Sequence, residues 1–272
     1  MRLFDSHCHL QDARFDKDRK EVLKRASAAG VAAVVVCGED LASSKAAIAL
    51  ADQSVHPSIL PAIGFHPHEA AGATDAALIN IQKLAASSQV SAIGEIGLDF
   101  YREMAPRHVQ RSVFDAQLAI ASDMSLPVSI HSRDAEEDLR PHLVPFASKS
   151  PLKAQGRPLG VLHAFGGTLR QASEYAELGF LISLTCSAGY PRNSEARRIA
   201  ANLPFSSLLI ETDSPALPPQ SSRGTRNEPA NLRIVAEVVA EARGVAVDLV
   251  ATATTANAEA LLGEVAEKKV SP

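Results

Sequence analysis

Short apolar runs recur along this chain, separated by stretches of helical length. Val31 to Cys37 (VAAVVVC) is apolar throughout, the pattern of a strand buried on both faces in a parallel sheet. Leu3-Phe4, Ile59 to Gly64, Val90 to Ile96, Pro127 to Ile130, Gly160 to Leu162, Phe180 to Leu184 and Leu208 to Ile210 are expected strands of the same kind. Between them, Phe15 to Ala29, Ser43 to Asp52, Asp75 to Ala86, Pro106 to Asp123, Asp134 to Ala147, Thr168 to Leu178 and Ser194 to Asn202 read as helices. Phe114, Leu118 and Ala121 form one apolar helical stripe, and Gly30 and Gly179 stand where helices should stop. Pro229 to Gly263 holds two further helices divided near Gly244.

Strictly alternating strands and helices imply parallel pairing, and eight such units in about 260 residues predict an α/β fold, a (β/α)8 TIM barrel. No linker or composition break interrupts the rhythm. The expectation is a single barrel domain over 1–265 with C-terminal helices, and a tail at 266–272. A doubly wound sheet would carry a Gly-rich phosphate loop after an early strand, and neither G-x-G-x-x-G nor a Walker pattern is present.

The 272 residues are 46% hydrophobic and 21% charged, enough apolar material for a large core. A net charge of -4 leaves no global basic footprint, so contact with a polyanion has to come from a local patch or from metal. No apolar run approaches the roughly 18 residues of a membrane span, and no signal core follows the N-terminus. Cys8, Cys37 and Cys186 are scattered and odd in number, which suits free thiols in a reducing compartment; a cytoplasmic protein, monomeric and away from membranes, is expected.

The ends of the strands carry the chemistry. In a strand, side chains alternate between faces, so His7 and His9 point one way and Cys8 the other. An H-x-H pair alone says little. Further along, expected strand four ends in Glu95, strand five in His131, strand six in His163 and strand eight in Asp213. Barrel enzymes keep their active sites on that C-terminal rim. The set exceeds what one catalytic zinc takes and suits two divalent ions sharing a carboxylate, with Glu95 as the bridge. Two ions about 4 Å apart can clamp an in-line displacement at phosphorus and lower the pKa of bound water from about 16 to about 7. Mixed nitrogen and oxygen ligation suits Zn, Mn, Co or Ni, with Mg less comfortable beside so many imidazoles. Asp213 is suited either to ligate or to act as base. His66, with His68 nearby, and Arg102 and Arg133 beyond strands four and five, are candidate phosphate contacts. Tyr101 and Phe100 are suited to stacking on a base or packing the loop. His56, His108 and His142 lie away from strand ends and are given no chemistry.

The stretches FDSHCHLQ, GFHPHEA, IGEIGLDFYR, LPVSIHSRDA, LHAFGG, IETDSPALPP and RNEPANL, in that order, resemble the signature blocks of the TatD family of metal-dependent deoxyribonucleases. The resemblance runs from about Leu3 to Leu262. It implies an amidohydrolase-type barrel that hydrolyses DNA phosphodiesters at ends or in single strands, often as a 3′-to-5′ exonuclease, with two divalent ions. Carried over, it makes His7, His9, Glu95, His131, His163 and Asp213 the ligands, with Glu95 and Asp213 catalytic and His66 and Arg102 at the substrate. Ala216 stands where the family usually has an aromatic residue, and Ala164 where it often has Cys or Ser. Two other readings compete. One is an amidohydrolase acting on an ester, amide or lactone, including an aminoacyl-tRNA ester; several of those bridge metals with a carboxylated lysine, and no Lys stands at a strand end. The other is a non-catalytic scaffold, which would have lost a ligand; none is missing.

Overall fold

The computed structural model describes residues 1–53 and 56–263; the expected tail at 266–272 lies outside them. Eight strands form one parallel sheet in sequential order: β1 (Leu3–Cys8), β2 (Val31–Cys37), β3 (Ser58–Ile63), β4 (Ala92–Asp99), β5 (Val128–Arg133), β6 (Gly160–Leu162), β7 (Phe180–Leu184) and β8 (Leu208–Ile210). The sheet curls into a nearly closed TIM barrel. The seam between β8 and β1 is completed just beyond β8, where Cys8 bridges Ser214, His9 N–H donates to Ser214 O (2.7 Å) and Asp213 N–H to His7 O (3.0 Å).

Around the sheet lie α1 (Arg19–Ala28), α2 (Leu41–Gln53), α3 (Asp75–Ser87), α4 (Arg107–Met124), α5 (Glu136–Lys149), α6 (Pro151–Ala154), α7 (Leu169–Leu178), α8 (Ser194–Asn202), α9 (Leu232–Arg243) and α10 (Val247–Leu262). Inside the barrel, Phe4, Val35, Ala62, Val161, Leu181 and Leu209 meet Ala258 and Leu261 of α10, so the last helix contributes to the interior packing. The larger core lies between the outer faces of the strands and the helices, around residues such as Val34, Ile63, Phe114 and Ile182. No helix among the described residues is long and apolar enough to cross a membrane.

Two departures from the expected pattern bear on function. The first helix starts at Arg19 rather than Phe15. A 3-10 turn (Ala13–Phe15) precedes it, and Arg19 reaches back to donate to Leu10 O (2.6 Å). The fourth strand continues past Ile96 to Asp99, which puts Glu95 inside the strand and leaves Asp99 at its end.

Candidate active site

β1 and β4 each break the two-residue alternation immediately before their functional side chains. Phe4 points into the barrel, and simple alternation would send Cys8 inward after it. A register shift between Asp5 and Cys8 reverses the phase, so His7 and His9 face inward and Cys8 packs outside. In β4, Ala92 faces inward and Ile93 and Ile96 both face the outer core, with a shift between them that turns Glu95 inward. Bulges re-aim side chains in this way beside active sites. β4 can kink here because its glycines admit β5: a Cβ on Gly97, whose φ is +145°, would overlap the His131 carbonyl oxygen, and one on Gly94 would lie 2.6 Å from Ser129 Cβ. β5 and β6 keep strict alternation and deliver His131 and His163 to the same interior.

Glu95, 2% exposed, is the hub. Its Oε2 lies 3.3 Å from His7 Nε2 and 3.4 Å from His9 Nε2. Its Oε1 lies 2.8 Å from His131 Nδ1, 2.8 Å from His163 Nε2 and 3.3 Å from His66 Nε2. The two oxygens thus face different sets of imidazoles. His9 Nε2 is 3.6 Å from Asp213 Oδ1, and Asp213 itself adopts a left-handed backbone, φ +53°. His7 and His163 stack with centroids 3.8 Å apart. Burial opposes ionisation of Glu95, yet His163, His66, His7 and His131 outweigh it and hold the carboxyl well below the usual range. Burial also pushes His66 down to about 4 and His7 below its ordinary value. Both are neutral near pH 7, with lone pairs to give. Burial works against protonating His9, but Asp213, Glu95 and Glu39 bring it up to about 9.

This donor set fits divalent cations. Ligand atoms of His7, His9 and Glu95 lie within 4.8 Å of one another, as do those of His66, Glu95 and His131, and those of His7, His163 and Glu211. Ring nitrogens crowd together here: His7 Nε2 and His9 Nε2 are 3.2 Å apart, His131 Nδ1 and His163 Nε2 3.3 Å. Among the described residues, the buried His131 Nε2 and His163 Nδ1 complete no hydrogen bond and have only Asp99 Oδ2 and Glu211 Oε1 nearby, each at 3.4 Å. Imidazole with carboxylate is a ligand set that several divalent metals accept.

Arg102 and Arg133 stand apart from this cluster. Both are exposed; Arg133 lies over the Tyr101 ring (4.1 Å) at the edge of the rim. His66 is the reverse case, a loop residue in the sequence that joins the buried cluster. Other participants were not singled out from the sequence. Glu211 is fully buried, accepts from Ala164 N (2.6 Å) and Ser6 Oγ (3.2 Å), and lies 3.4 Å from His163 Nδ1. It shares an inward phase with Leu209 and Asp213, a signal present in IETD. Asp99 accepts from His68 Nε2 (2.7 Å) and approaches His131 Nε2 (3.4 Å). Two buried glutamines one heptad apart on α4 tie the loops down: Gln117 exchanges hydrogen bonds with Phe65 N and O, and Gln110 with Asp99 N and O.

Comparison with known proteins points one way. The family model described as TatD related DNase matches residues 4–263. The uncharacterized metal-dependent hydrolase YabD of Bacillus subtilis is 36% identical over 95% of this chain and 98% of its own. The 3′-5′ ssDNA/RNA exonuclease TatD of Erwinia tasmaniensis is 37% identical over 95% of this chain and 99% of its own. Among solved structures, YjjV from Escherichia coli, a TatD homologue, superposes with a TM-score of 0.89 at 32% identity, covering 97% of this chain and 98% of that one.

Proposed function

Because the chain belongs to the TatD related DNase family, and so is a metal-dependent hydrolase of ester bonds, we propose that it removes nucleotides from the 3′ ends of single-stranded DNA. The observation that carries this reading is Glu95, whose two oxygens face two separate groups of imidazoles. That arrangement suits a carboxylate shared between two divalent ions, with His7 and His9 on one side and His131 and His163 on the other. Ions held there would supply the charge that neutralises a phosphodiester and lowers the pKa of the attacking water.

The chain's own residues do the rest. Asp213, beside His9 and fixed by its N–H to His7 O, takes the proton of the attacking water. His66 would hold a bound cation or contact the substrate phosphate. Arg102 and Arg133, which engage no carboxylate among the described residues, hold the incoming strand by its phosphates. The named activity of the Erwinia relative supports the choice of nucleic acid, and the acidic net charge makes the rim arginines the local source of attraction. The cytoplasm is the proposed location.

End-labelled single-stranded DNA with Mn²⁺ should give a ladder shrinking from the 3′ end, stopped by EDTA. Glu95→Gln should lower turnover by about 10–100-fold while the circular dichroism spectrum is unchanged. Internal cuts, or faster turnover of a lactone or an aminoacyl ester offered in parallel, would overturn the exonuclease reading.

A further inference from the structure

Arginines are mostly engaged in this acidic chain. Arg25 holds Glu228, Arg107 holds Glu103, Arg170 holds Glu174 and Arg226 holds Asp18, while Arg157 and Arg197 donate to backbone carbonyls. Arg192 and Arg223 differ: both are exposed and neither has a hydrogen bond or carboxylate partner among the described residues. They line one cavity of about 450 Å³ with Tyr190, Pro191, Asn193 and Gln220. Among the described residues no carboxylate lines it. The cavity lies between the loop after β7 and the loop after β8, the second of which carries Asp213, so it opens on the same rim as the Glu95 cluster.

Its walls are braced. Tyr190 donates its hydroxyl to Pro218 O (2.6 Å), clamping the two loops together, and Arg197 donates to the Tyr190 and Pro191 carbonyls (2.9 Å each). The Arg223 guanidinium carbon lies 4.5 Å from the Tyr190 ring centroid, a cation–π contact. The carboxylate nearest in sequence, Glu195, is occupied by Arg198 and Leu169 N. A flat guanidinium backed by an aromatic ring takes a nucleobase on its other face, and a second free guanidinium beside it takes a phosphate.

We propose that this cavity is a subsite for a nucleotide of the bound strand away from the scissile bond, with the base stacked on Arg223 over Tyr190 and the phosphate on Arg192. The proposal rests on the nuclease reading and extends it to how long a strand the enzyme grips. It adds an anchor on the β7–β8 side, opposite the Arg133–Tyr101 pair of the β4–β5 side.

The test compares wild type with the Arg192→Ala/Arg223→Ala double variant on single-stranded oligonucleotides of two to twelve nucleotides and on bis(p-nitrophenyl) phosphate. For long oligonucleotides KM should rise about tenfold with kcat unchanged, while the dinucleotide and the small diester are turned over as before. Arg223→Lys, which keeps charge without the plane, should recover only part of the loss. Unchanged KM on long strands, or an equal loss on the small diester, would overturn the subsite. Fluorescence anisotropy of a labelled 12-mer in EDTA separates the two readings. Should wild type bind but not cleave, tenfold weaker binding by the double variant keeps the subsite and removes the nuclease reading. Equal binding by both proteins removes the subsite.

Discussion

At the scale of single residues, the centre depends on charge placed where solvent is absent. Glu211 has no exposed surface and presents one oxygen to Ala164 N and toward His163 Nδ1. A buried carboxylate beside a ligating imidazole orients the ring and raises its basicity, and loss of such a partner costs about 10–100-fold in metal affinity. Glu211→Gln preserves the shape but not the charge, so titration calorimetry with Mn²⁺ or Zn²⁺ should show a drop in that range. Wild-type affinity in this variant would remove Glu211 from the centre. The same lens explains why Cys8 carries no chemistry: it is fully buried, its thiol is pushed up chiefly by burial, and it donates to Val35 O (3.2 Å).

At the scale of elements, close approach and pairing decide what the strands and helices can present. β4 kinks against β5 because Gly97 has no Cβ to meet His131 O. Gly97→Ala should therefore destabilise the fold by about 3 kcal/mol through overpacking, read as a lower urea midpoint, with loss of metal binding in parallel because Glu95 is displaced. Around α1, Asp18 receives Arg226 (2.7 Å) and Arg25 (3.4 Å), tying the helix to the segment beyond β8. The Arg226 hydrogen bonds hold the Asp18 carboxyl down at about 2, against an ordinary 3.8. A depressed folded-state pKa means stability that is present above the unfolded value and is lost as the pH falls through the folded one. Asp18→Asn should lower the melting temperature at pH 7, and its difference from wild type should narrow as the pH falls from about 4 toward 2. A constant difference over that window would show that the pair contributes nothing through ionisation.

For the whole molecule, the seam of the barrel and the active site are one structure. Strand closure runs through His7, His9, Asp213 and Ser214, and Asp5 locks the same joint by accepting from Thr212 N (2.9 Å) and Thr212 Oγ1 (2.6 Å). Cations bound to residues drawn from β1, β4, β5 and the segments after β6 and β8 would then cross-link the barrel. Saturating Mn²⁺ or Zn²⁺ at about a hundred times the dissociation constant should stabilise it by about 2.7 kcal/mol, seen as a raised melting temperature that EDTA reverses. Glu95→Gln should shrink that rise. A melting temperature indifferent to metal would count against binding at these residues.

The strand–helix rhythm and the convergence of His7, His9, Glu95, His131 and His163 were legible in the chain, because apolar runs report burial locally and strand ends in a parallel barrel share one face. Asp99 and Glu211 were not singled out, since a lone acid near a strand end has no local mark that separates a buried partner from a surface group. The inward turn of His7 and Glu95 was decided by tertiary structure alone. Counting by twos from Phe4 or Ala92 sends these side chains to the wrong face, and only the register of β1 against β2, and of β4 against β5, corrects it. Such a bulge arises from hydrogen bonding between segments far apart in sequence. Residue types and their order therefore determined which ligands exist, while pairing between distant strands determined that they point at one another.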